Sequence, residues 1–139
     1  MNRRHVLAAG AALLTISDTA LGQSTHAQHA GASQLLDAAS NCVKLGLVCI
    51  DHCQQTLASG DTSLAACERS VDQMVSICGT LAKLASVNSS YLAGLARVAL
   101  VACQDCETEC RKHADKHSAC KACAEACVDC AAECKRTAA

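Results

Sequence analysis

Five cysteines near the end of the chain run Cys120-x2-Cys123-x3-Cys127-x2-Cys130-x3-Cys134, and a shorter run, Cys103-x2-Cys106-x3-Cys110, precedes them. Steps of three and four alternate without a break. An α-helix turns about 100° per residue, so such steps return to one side, and the five later cysteines fall within an arc of roughly 80° when wound as a helix. The pattern therefore demands helices, each with a sulfur-bearing face.

The rest of the chain agrees with that demand. There is no proline among the 139 residues, and alanine is abundant. Alanine is the best helix former and proline the worst, so long uninterrupted helices are favoured. Stretches with strand alternation are hard to find. The length suits one small domain. Large apolar residues are few and mostly leucine, so something else must fill part of the core. The thirteen cysteines are the obvious supply. A net charge of −1 without a basic patch leaves no footing for nucleic acid. Tyr91 is the single aromatic residue, which excludes base-stacking platforms and aromatic cages.

The first 22 residues have the form of an export signal. Arg3-Arg4 open it, a short apolar run from Val6 to Ile16 follows, and Ala20-Leu21-Gly22 offers small residues for cleavage after Gly22, with Ala27 as the second choice. The paired arginines predict the twin-arginine route to the periplasm, with general secretion or an uncleaved helix as the other possibilities. Asn2 and His5-Val6 depart from the usual flanking residues. The apolar run is too short to span a membrane, so the mature form is expected to be free of one. Export in the folded state would spare the thiols a meeting with an oxidising compartment while unfolded. Residues 23–32 read as a flexible lead-in carrying His26 and His29.

Turn signals divide the remainder, 33–139, into four helices. Helix one is expected from Ser33, as N-cap, to Ala58. Ser59-Gly60-Asp61 separates it from helix two, Thr62 to Ser86, with Gly60 as C-cap and Asp61 as N-cap. Asn88-Ser89-Ser90 introduces helix three, Tyr91 to His113. A turn over 114–118 leads to helix four, Ala119 to Arg136, where Lys135 and Arg136 suit the negative end of the helix dipole. Short connections imply antiparallel neighbours, so the predicted fold is all-α, an up-down-up-down four-helix bundle. Cys42, Cys49 and Cys53 share one face of helix one within about 40°, and Cys67 and Cys78 share one of helix two within about 20°. Met74 lies on the same face as Cys67. Four sulfur faces then meet at one axis, giving a Cys-lined core.

Disulfides fit that arrangement poorly. Thirteen is odd, and neighbours three or four apart on a helix hold their Cβ atoms about 5–6 Å apart, where a disulfide wants about 3.5–4.5 Å. Structural zinc usually takes four ligands from a knuckle or loop. Ferredoxin clusters use C-x2-C-x2-C-x3-C-P, which lacks this x2/x3 alternation and requires a proline. A zinc protein and an iron–sulfur-like electron carrier remain the alternatives. Cu(I) suits the pattern better, because soft sulfur ligands select it and a pair on adjacent turns can hold a two-coordinate ion. So many ligands exceed what one redox centre uses and imply capacity, that is, several Cu(I) ions per chain. No acid–base pair or activated nucleophile stands out, so no enzyme is expected.

Taken together, Cys42-x6-Cys49-x3-Cys53, Cys67, Cys78, Cys103-x2-Cys106-x3-Cys110 and the run from Cys120 to Cys134 resemble the bacterial copper storage proteins over the whole mature chain. The leader resembles that of the exported branch. The resemblance implies a homotetramer, storage of Cu(I) on the thirteen cysteines, and supply to copper enzymes, which for exported members are methane-oxidising ones.

An antiparallel bundle places Cys53, Cys67, Cys110 and Cys120 at one end with His52, His113 and His117. Leu35, Leu81, Leu84, Leu92 and Leu95 gather at the other. The histidine end is expected to be the mouth and the leucine end a plug. Met74, His113 and His117 are the candidate accessory ligands, His113 lying about 20° off the edge of its cysteine face.

Overall fold

The structure, a computed structural model, describes residues 19–139, with side chains from residue 30 onward. All but the last four residues of the expected export signal lie outside the described residues. Four α-helices make up the fold: α1 Thr19–Ala58, α2 Ala65–Ser86, α3 Leu92–Arg111 and α4 Ser118–Ala138. A 3-10 turn, Thr62–Leu64, leads into α2. No strand occurs among the described residues.

Each helix packs against two others. α1 lies against α2 and α4, and α3 lies against the same two, so α1 and α3 are diagonal. With connections of a few residues, this is the predicted up-down-up-down bundle.

The connections follow the chemistry expected of them, with one exception. Gly60 has φ +91°, a left-handed conformation that suits glycine, and closes α1. The Asp61 side chain accepts from the backbone N–H of Ser63 at 2.9 Å and caps the 3-10 turn. Asn88 has φ +47° in the α2–α3 connection, and the Ser89 hydroxyl accepts from Tyr91 N–H just before α3. The exception is the start of α1. Ser33 is not a cap, because the helix runs back through 23–32 to Thr19. Gly31 and Ser33 are weak helix breakers, and with no proline nothing in that segment forces the chain out of helical geometry.

One buried row per helix builds the core. On α1 it is Ala32, Leu35, Ala39, Cys42, Gly46, Cys49 and Cys53; on α2, with the turn before it, Leu64, Cys67, Val71, Met74, Cys78, Leu81 and Ala85. α3 contributes Leu92, Ala96, Ala99, Cys103, Cys106 and Cys110, and α4 contributes Cys120, Cys123, Cys127, Cys130 and Cys134. Every row steps by three and four, the period of a helix face. Among the described residues no polar or charged side chain is buried. Charges stay on the outer faces, as in the Glu107–Arg111 pair at 2.7 Å, and such exposed pairs add little stability. The core therefore changes material along its axis: leucine and alanine at one end, and mainly sulfur over the rest, interrupted by Gly46 and Val71 and closed by Leu64.

Candidate metal centre

All thirteen cysteines are fully buried and free. Thiols can fill a core this way because a protonated cysteine behaves as a small apolar side chain. Their spacing is that of contact without bonding. Cys67 and Cys110 are 3.5 Å apart at sulfur, Cys78 and Cys103 3.6 Å, Cys42 and Cys127 3.7 Å, and Cys49 and Cys120 3.8 Å. These close pairs join different helices, so the bundle itself, rather than any single helix, sets the sulfur geometry.

The sulfurs fall into groups whose ligand atoms all lie within 4.8 Å of one another. From the histidine end inward they are Cys49–Cys53–Cys67–Cys120, then Cys49–Cys110–Cys123, then Cys106–Cys123–Cys127, then Cys42–Cys78–Cys103–Cys130. Cys49 and Cys123 each belong to two groups. Cys134 alone lies outside all four, one turn beyond Cys130 toward the leucines. Among the described residues no histidine or carboxylate joins a group.

Burial and crowding make these thiols reluctant acids. Burial pushes Cys53 up to about 12 and Cys120 up to about 11, and the neighbouring Cys67 sulfur adds to both shifts. Cys110 and Cys127 are raised because each gives its proton to S–H···S contacts, first toward Cys106 and Cys103 respectively. The reverse holds at three sulfurs that accept from several neighbours. Cys67 is lowered foremost by Cys110, Cys123 by Cys106, and Cys130 by Cys103. Every group thus contains one sulfur whose thiolate form its neighbours favour: Cys67, Cys123 or Cys130.

The accessory candidates divide. Met74 is fully buried with its Sδ 3.3 Å from Cys42 Sγ, inside the sulfur column. The histidines gather at the expected end but bond to each other: His52 Nε2 and His117 Nδ1 are 2.8 Å apart, and the His113 and His117 rings lie 6.3 Å apart. All three are half-buried. Asp61 stands near them. Its carboxyl is held below the usual range by the Ser63 hydrogen bond, with the charges of His117 and His113 adding to the effect. Sequence reasoning overlooked Leu64, which is fully buried at this end. The signal was present, since Leu64 lies three residues before Cys67 on the same row. At the opposite end Leu35, Leu81 and Leu92 are buried, and Leu84 and Leu95 pack partly against them.

A family model described as "Copper storage protein" matches residues 28–139. The chain belongs to the copper storage protein family. Among solved structures, a Cu(I)-bound copper storage protein, BsCsp3, is similar with a TM-score of 0.72 and 29% identity, covering 78% of this chain and 99% of its own. Apo copper storage protein 3 from Bacillus subtilis gives 0.68 and 29%, covering 77% of this chain and 98% of its own. A cytosolic copper storage protein from Streptomyces lividans, loaded with five coppers, shares the fold at 0.74 and 23% identity, covering 81% of this chain and 96% of its own. No curated protein sequence matches. Membership in this family accounts for a core built of sulfur, since a storage site needs many equivalent soft ligands rather than one tuned centre.

Proposed function

We propose that this protein stores copper by binding many Cu(I) ions to the thiolates of its core, for sequestration and later supply to copper enzymes. The observation that carries the reading is the continuity of the sulfur column: twelve of the thirteen thiols fall into four groups that share members or touch. Each Cu(I) displaces thiol protons, and its charge stabilises the thiolates left behind. Because Cys49 and Cys123 each serve two groups, an ion can exchange one sulfur for the next without leaving the column. A redox enzyme would not use this many ligands, and storage requires no catalytic step.

Copper passes through the histidine end. His52, His113 and His117 there present imidazole nitrogens at a half-buried surface, whereas the other end is packed with leucine. The paired arginines and short apolar run at the start of the chain support twin-arginine export to the periplasm. No helix of the described residues is long and apolar enough to cross a membrane. The exposed Leu47, Val48, Val98 and Val101 support self-association, which the family resemblance noted above leads us to take as tetrameric.

Anaerobic titration of the reduced protein with Cu(I), combined with thiol counting and metal analysis, tests the storage reading. Uptake on the order of ten ions per chain, as expected for thiols bridging ions of low coordination number, supports it. Saturation at one or two ions would sink it.

A further inference from the structure

The sulfur column has a gap in its wall, and the gap is specific. Continuing the three-and-four spacing of Cys42, Cys49 and Cys53 on α1 calls for a ligand at position 46, which is Gly46. Continuing Cys67 and Cys78 on α2 calls for ligands at 71 and 74, which are Val71 and Met74. These replacements meet one another. A Cβ placed on Gly46 would lie 2.9 Å from Met74 Cε and 3.5 Å from Val71 Cγ1. The space left by the missing side chain of Gly46 is thus shared by Val75 Cγ2, 2.5 Å from that Cβ position, and the end of Met74.

Met74 is held there with its sulfur on the column. Its Sδ accepts from the Cys42 thiol at 3.3 Å, and Cys42 in turn lies 3.7 Å from Cys127. Cys127 belongs to the group with Cys106 and Cys123, whereas Cys42 belongs to the innermost group. These two groups share no sulfur, so they are joined by contacts of Cys127 with Cys42 and Cys103, and the Cys42 contact is the one that Met74 adjoins.

We propose that Cys42, Cys127 and Met74 form a mixed thiolate–thioether Cu(I) site that joins the outer and inner parts of the column. It rests on the storage reading above and adds a ligand of different chemistry to it. Cys42 lies 3.3 Å from the Met74 sulfur and 3.7 Å from that of Cys127, so an ion held by Cys42 has both within reach, and thioethers are soft ligands suited to Cu(I). Binding releases two protons, one from each thiol, and none from Met74. The filled site carries a net charge of −1, where three thiolates would leave −2. Met74 lies near the middle of α2, as far from either end of the bundle as the helix permits. Excess charge is hardest to hold at that depth, and a neutral donor lessens it.

The chain contains only two methionines, Met1 and Met74, so selenium makes a clean probe. The full-length protein is produced with selenomethionine, loaded anaerobically with Cu(I), and measured by X-ray absorption at the selenium edge. Met74→Leu, labelled in the same way, supplies the background from Met1. A copper shell at bonding distance from selenium in the wild type, lost in Met74→Leu, is the expected result. Wild-type protein that takes up its copper but shows no such shell overturns the mixed site and leaves storage standing. A protein that binds no copper overturns both.

Discussion

Gly46 on α1 packs directly beneath Val75 of α2, with no room for a side chain of its own. A methyl group at Gly46 would sit 2.5 Å from Val75 Cγ2, too close for either side to keep its place. Gly46→Ala gains about 1 kcal/mol of helix propensity but incurs about 1–3 kcal/mol of overpacking. We expect a net loss, read as a lower denaturant midpoint at unchanged slope. Titration acts at the same scale. Cys53 and Cys120 are raised from 9.0 to about 12 and about 11, so the fold keeps protons that the unfolded chain has already lost. Their contribution to stability is whole below pH 9 and falls as pH rises through 11 and 12. The copper-free protein should therefore melt at progressively lower temperature across that window. His113→Ala should slow copper loading without lowering the final number of ions. The cysteine face of each helix was legible in the sequence because it depends only on spacing within one element. The importance of Gly46 was not, since its cause is a pair of side chains on another helix.

Caps and breaks decided most of the elements. Gly60 and Asp61 end and begin elements where their chemistry says they should, Ser89 supports the turn before α3 without capping it, and the expected boundaries of α2, α3 and α4 fall within a few residues of the observed ones. The start of α1 was misjudged at Ser33, because a polar, glycine-containing segment reads as a loop even when nothing in it breaks a helix. The leucine end tests how elements share the work of the core. Leu35 on α1 and Leu81 on α2 are fully buried there. Replacing either by alanine should cost about 2–5 kcal/mol, through lost burial and the cavity left behind. Copper capacity should be unchanged, since no cysteine is removed. Loading rate should also be unchanged in Leu81→Ala and Leu92→Ala. If the rate shifts in those variants while His113→Ala has no effect, copper passes through the leucine end instead.

For the whole molecule, the bundle and its ions are separable. The helices have their own propensity and an apolar end, and neutral thiols pack like small hydrophobic groups. Far-ultraviolet circular dichroism should thus be nearly the same with and without copper, while the melting temperature rises with loading, because the ions bind the folded state. A chelator should strip the copper and leave the helices intact, unlike a zinc finger, which unfolds when its metal is removed. The bundle was legible at this scale because four helices with short links have few ways to pack. The proposed self-association is less legible, because exposed aliphatics such as Val98 and Val101 do not by themselves specify a partner.

The sulfur groups follow one another along the bundle axis, and leucine closes the column at one end. With entry past the histidines, as proposed, such a vessel would have a memory of arrival. Ions that came first would lie deepest, and those that came last would stand nearest the histidines. If one copper isotope fills the inner groups and a second fills the outer ones, brief exposure to a chelator should remove the second almost alone. The cell would then draw on its newest copper first and keep its oldest for scarcity.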